Sequence, residues 1–154
     1  MKQLFFTVLL FLMITGCKTK QGVISTDNKN MSTKSTMDLV KEAKEQIENL
    51  TPQQVKQELL SGATLIDIRE SDELKNGKIA GSTHAPRGML EFYADESLPY
   101  HKPQFDKSKR IILYCATSGR SALAVKTLKQ LGYTNVAHLD GGLKAWKEAG
   151  LDVE

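Results

Sequence analysis

Residues 63–68 (ATLIDI) and 110–114 (RIILY) are apolar at almost every position, and both are too short for an ordinary helix. A strand with water on one face alternates apolar and polar side chains. Near-continuous apolar runs of this length therefore belong to strands covered on both faces, as in a parallel sheet whose crossovers are helices. Residues 135–139 (NVAHL) read as a third strand. The expected class is α/β, a parallel sheet with helices on both faces.

The segments between these runs have helical period. From Met37 onward, Leu39, Ala43, Ile47 and Leu50 fall at helix-face spacing. Thr51 and Pro52 then supply an N-cap and a first helical residue, Val55, Leu59 and Leu60 an apolar face, and Gly62 a stop. Residues 71–75 read as a short helix closed by Asn76 and Gly77. Ala122, Val125, Leu128 and Leu131 mark a helix over 121–131, and residues 142–149 a last one with Trp146 turned to the core.

Cys115 follows the second apolar run directly and precedes the helix that starts near Ser121. In open parallel sheets ligands bind beyond the carboxyl ends of the strands, so this junction is a candidate site. A buried cysteine in mid-strand would be a small hydrophobe. Here the chain turns small and polar at once, with Ala116, Thr117, Ser118, Gly119 and then Arg120. Successive backbone N–H groups in such a loop, together with the start of a helix, favour an anion, and the nearest is the thiolate itself. Arg120 adds a permanently charged fork able to hold an anionic substrate.

The stretch YCATSGRSALAVKTLKQLGYTNVAHLDGGLKAW, with LIDIRE at 65–70 and GKIAGSTHAPRG at 77–88, resembles the single-domain rhodaneses, a sulfurtransferase family. The likeness covers roughly residues 50–154. It implies that Cys115 takes a sulfane sulfur from a small anionic donor such as thiosulfate, or from a persulfide, and passes it to cyanide or a thiol. Ala116, Thr117, Ser118, Gly119 and Arg120 would then surround the sulfur. Asp67 and Arg69 match the family's acidic-x-Arg strand end as supporting residues. Two positions depart from the pattern. Many family loops carry glycine fourth of six, where this chain has Ser118; if that residue needs a positive φ, Gly119 is the alternative place for the sharp turn. Gly77-Lys78-Ile79 stands where Gly-His-Ile is usual.

The front of the chain reads separately. Residues 4–14 (LFFTVLLFLMI) are too short to span a bilayer and have the form of a signal peptide. Ile14-Thr15-Gly16-Cys17 resembles the lipobox of bacterial lipoproteins, in which the peptide is cut before a cysteine that is then lipid-modified. The expected organisation is a signal peptide over 1–16, a flexible tether over 17–36 starting at lipidated Cys17, and a domain over 37–154. That domain has an N-terminal helical extension and a core from about residue 53. The protein would then sit in the bacterial cell envelope, held to the lipid bilayer through Cys17. A chance cysteine after a plain export signal, or an uncleaved anchor, remains open.

Charge and residue inventory remove other classes. Residues 1–36 hold five Lys and one Asp, and residues 37–154 hold 16 Lys/Arg against 17 Asp/Glu. The formal charge of +3 belongs to the front, so a nucleic-acid role lacks its electrostatic basis. His84, His101 and His138 are scattered, so no metal is assigned and no cofactor is implied. A thioredoxin-like enzyme would need a second cysteine where Ser118 stands. A phosphatase of related fold would need five residues between cysteine and arginine, against the four here. A rhodanese-like module that binds partners or senses sulfur without turnover stays open beside the enzyme.

Overall fold

In the computed structural model, which describes residues 33–154, the apolar runs form β2 (Thr64–Asp67) and β4 (Ile111–Tyr114), paired in parallel. The third expected strand is β5 (Val136–Leu139), buried at every position, on the other side of β4. Two short strands complete the sheet: β1 (Glu48–Leu50) against β5, and β3 (Thr83–His84) against β2. All pairs are parallel, in the order β1-β5-β4-β2-β3. The crossovers are helical, as parallel neighbours require.

Helices lie on both faces. On one face α3 (Leu90–Ala94) and α4 (Gly119–Gln130) pack Leu90, Ala124, Val125 and Leu128 onto Ile66, Ile111 and Leu113. On the other, α2 (Pro52–Leu60) and α5 (Gly142–Glu148) pack Val55, Leu143 and Trp146 onto Leu65, Ile112 and Leu139. α2 starts where its sequence says it must: Thr51 accepts from the Gln54 N–H, the Gln54 side chain answers the Thr51 N–H, and Pro52 opens the helix. Ser71–Asn76 is a 3₁₀ helix ending before Gly77.

The first helix departs from its expected face and length. α1 (Thr36–Gln46) buries Val40 and Ala43 and leaves Leu39 exposed. Ile47 is its C-cap residue in extended conformation, and Leu50 belongs to β1, opposite Leu139. Three residues of edge strand, Glu48 to Leu50, are too few to show a period of two, and the helix spacing ran through them. In α2, Leu60 is exposed, so Val55 and Leu59 carry the apolar face. The signal segment, Cys17 and the tether up to residue 32 lie outside the described residues. Among the described residues, no helix is long and apolar enough to cross a membrane.

Candidate active site

β4 ends at Tyr114 and delivers Cys115 to the carboxyl edge of the sheet, where its side chain is 1% exposed. The next residues form a loop that enters α4 at Gly119. What shapes this loop is the start of α5. The Leu143 N–H donates to the Cys115 carbonyl at 2.8 Å and the Lys144 N–H to the Ala116 carbonyl at 3.0 Å. With these carbonyls turned to α5, the Ala116 and Thr117 N–H groups of the same trans peptides face the other way. The Ser118 N–H donates to Cys115 Sγ at 3.2 Å. Those of Ala116, Thr117, Gly119 and Arg120 donate to no protein acceptor among the described residues. Thr117 is exposed at the crest and Ser118 is buried beneath it.

Ser118 itself, not Gly119, takes the sharp turn. Its φ is 104°, the single positive value at a non-glycine among the described residues, while Gly119 is the first residue of α4. A serine in this region costs about 1–3 kcal/mol and persists only where its surroundings hold it. Here Ser118 Oγ donates to Asp140 Oδ1 at 2.6 Å, and Lys44 Nζ reaches the same oxygen at 2.5 Å. These bonds, with that from the Gly141 N–H, hold the Asp140 carboxyl down at about 2 against the opposing effect of burial.

Beneath the sulfur lies a second chain of polar groups. The Cys115 thiol donates to Ser121 Oγ at 3.6 Å, Ser121 Oγ lies 3.2 Å from His138 Nδ1, and His138 Nε2 is 2.7 Å from Asn49 Oδ1. Asn49 spends its amide hydrogens on the carbonyls of Lys44 and Ile47, so its oxygen faces the histidine and His138 Nε2 is the donor. Burial pushes the His138 pKa down to about 4, so the ring is neutral and Nδ1 is an acceptor. The Ser118 carbonyl, 2.9 Å from Ser121 Oγ, shares that hydroxyl's single hydrogen with Nδ1.

Arg120 is not a free fork. Its two terminal nitrogens meet the two oxygens of Glu73 at 2.6 and 2.8 Å, and this pairing holds the Glu73 carboxyl at about 2. Asp67 and Arg69 are buried against each other. Arg69 also donates to the carbonyls of Glu73 and Gly77, so the pair fastens the 3₁₀ segment that carries Glu73. Lys78 lies away from this chemistry, paired with Glu154.

Cys115, Ala116, Thr117, Ser118, Gly119 and Arg120 are thus one loop, with Asp67 and Arg69 in its support. Lys44, Glu73, Asp140 and Asn49 carry no signal in the sequence, and His138, weighed there only as a metal ligand, is also a partner. One signal was present: His138 is a polar residue inside an otherwise apolar run, and a buried polar group requires a partner.

Residues 51–149 match the family model described as Rhodanese-like domain. An uncharacterised protein of Synechocystis sp. is 36% identical over 101 residues, which cover 66% of this chain and 51% of that protein. The chain thus spans about half the length of that relative. A chloroplastic thiosulfate sulfurtransferase of Arabidopsis thaliana is 32% identical over 97 residues, covering 60% of this chain and 81% of its own. A solved structure from Rhodopseudomonas palustris, of a protein of unknown function described as a possible tyrosine phosphatase, is similar with a TM-score of 0.75. It is 40% identical and covers 80% of this chain and 96% of that one.

Proposed function

The chain belongs to the rhodanese-like domain family, and on that premise we propose that it is a sulfurtransferase working through a persulfide on Cys115. The Cys115 thiolate attacks the outer sulfur of thiosulfate or of a persulfide donor. The donor S–S bond breaks, sulfite or a thiolate leaves with the electron pair, and Cys115 carries the sulfur. Cyanide or a thiolate then attacks that sulfur, the Cys115 S–S bond breaks, and the thiolate is restored. No external oxidant or reductant is needed.

The loop donors carry this reading. A persulfide would place its terminal, charged sulfur about 2 Å beyond Sγ; the Ser118 N–H already reaches Sγ, and the N–H groups of Ala116, Thr117, Gly119 and Arg120 have no protein acceptor among the described residues and are free to serve it. Donors already oriented toward a developing anion stabilise it without reorganisation. After incubation with thiosulfate, mass spectrometry of the purified protein should find one added sulfur on the peptide containing Cys115. Cys115→Ser should remove both the adduct and transfer to cyanide while leaving the fold intact. Full transfer by that variant would sink the proposal.

The phosphatase activity suggested for the Rhodopseudomonas protein fits this loop less well. Four residues separate Cys115 from Arg120, and the guanidinium that would grip a phosphate is held by Glu73. Hydrolysis of an aryl phosphate faster than sulfur transfer would reverse this ranking. For location we propose the cell envelope, on the strength of the lipobox-like residues 14–17. Cys17→Ser should release the protein from membranes without altering catalysis; retention there would mean an uncleaved anchor.

A further inference from the structure

The loop's most constrained residue is secured from outside the stretch that matches the family, which begins at residue 51. Ser118 turns at φ 104° and ψ −44°, and in that conformation its N–H points at Cys115 Sγ, 3.2 Å away. Glycine adopts such a conformation freely, whereas serine relaxes to negative φ unless held. Ser118 Oγ is fixed on Asp140 Oδ1, and the Gly141 N–H reaches Ser118 Oγ at 3.2 Å and Asp140 Oδ1 at 2.9 Å. Asp140 stands between β5 and Gly141, so its backbone is set by the sheet. Its carboxylate is set by Lys44, which projects from α1. α1 packs along α4, and a Cβ placed on Gly119 would lie 3.5 Å from Val40 Cγ2, so the helix that carries Lys44 borders the loop itself.

We propose that Lys44 and Asp140 are positioning residues that hold Ser118 in its left-handed conformation, making α1 a working part of the Cys115 site. They touch neither the sulfur nor its donor. They act by keeping the Ser118 N–H on Sγ, and they are needed because this chain has serine where a glycine would hold the turn unaided.

The mutational logic is therefore conditional on residue 118. Asp140→Ala and Lys44→Met should each slow alkylation of Cys115 by iodoacetamide, followed on the Cys115 peptide, and slow sulfur transfer, with Asp140→Ala giving about a tenfold loss. In a Ser118→Gly background the same two substitutions should change neither rate further. Ser118→Ala, which keeps the Cβ and loses the tether, should match Asp140→Ala even where the latter folds poorly. Equal losses in the serine and glycine backgrounds would overturn the proposal, as would no loss in the serine background. The sulfur-transfer assay rests on the function proposed above, but the alkylation series does not. An enzyme inert toward every sulfur donor that still showed the background-dependent alkylation would refute sulfur transfer and keep the positioning role.

Discussion

A neutral histidine two hydrogen bonds from the Cys115 sulfur orients a hydroxyl rather than supplying a charge. His138 is fully buried and its Nε2 proton is committed to Asn49, so Nδ1 can only accept, and it shares the single Ser121 hydroxyl hydrogen with the Ser118 carbonyl. That leaves the Ser121 oxygen open to the Cys115 thiol; when the thiol loses its proton, rotation of the Ser121 hydroxyl turns a donor toward the thiolate. The burial that keeps His138 neutral has a consequence for stability. Its folded pKa, about 4, lies below the ordinary 6.5, so the unfolded chain binds the proton more readily. Stability contributed by this residue is complete above pH 6.5, falls as pH drops toward 4, and is lost below it. The difference amounts to about 3 kcal/mol. Urea unfolding of the parent should weaken across that window, and His138→Gln should flatten the slope there. An unchanged slope would mean that the ring is protonated in the fold. Ser118 invites a comparison of magnitudes at the same scale. Relief of backbone strain, about 1–3 kcal/mol, and loss of the bond to Asp140, of about the same size, nearly cancel in Ser118→Gly. Ser118→Ala keeps the strain and loses the bond, so it should be the less stable of the two by about 2 kcal/mol in the same unfolding assay.

Among the elements, the start of α5 does most to shape the loop, and it does so by approach. A Cβ on Gly142 would lie 2.4 Å from the Cys115 carbonyl oxygen and 2.8 Å from Thr117 N, and φ there is 62°. Both contacts are backbone, so neither yields cheaply. Gly142→Ala should therefore displace the loop, lower the denaturation midpoint by the equivalent of at least about 2 kcal/mol and remove most sulfur transfer. Gly62→Ala, at φ 91° in open space, should cost about 1–2 kcal/mol by strain alone and leave transfer unchanged. Equal effects of the two on transfer would show that α5 does not shape the site. The elements also show what a linear reading can reach. β2 and β4 were legible because burial on both faces leaves near-continuous apolar runs, β5 because a short strand-length segment separates two helical ones, and Cys115 to Arg120 because its residues are contiguous. β1 was not, since Glu48 and Asn49 are exposed and only Leu50 is buried. With β1 went Asn49, which meets His138 only because β1 pairs with β5 across nearly ninety residues of chain. Lys44, Glu73 and Asp140 are ordinary surface charges in the sequence, and only the sheet order and the packing of α1 on α4 bring them to the loop.

At the scale of the whole molecule, pairing of charge bears on how the anionic donor of the proposed function would arrive. Residues 37–154 carry 16 cationic and 17 anionic side chains, so the domain has no excess positive charge to draw thiosulfate in. The cations placed around the loop are also spoken for: Arg120 by Glu73, Lys44 by Asp140 and Arg69 by Asp67. Electrostatic steering raises association by about 10- to 1,000-fold where a cleft is lined by one sign of charge, and that condition is absent here. The value of kcat/KM for thiosulfate should accordingly change by less than about threefold between roughly 0.01 and 1 M ionic strength, a range over which the screening length falls from about 30 to 3 Å. Glu73→Gln tests the cause. With the carboxylate gone, the Arg120 fork is released toward the loop, and the variant should use thiosulfate better at low salt and lose that advantage as salt rises, while an uncharged organic polysulfide donor gains nothing. A steep salt dependence in the parent, left unaltered by Glu73→Gln, would mean that Arg120 already leaves its partner to meet the donor. The arginine would then act as the anion fork that its place in the sequence first suggested.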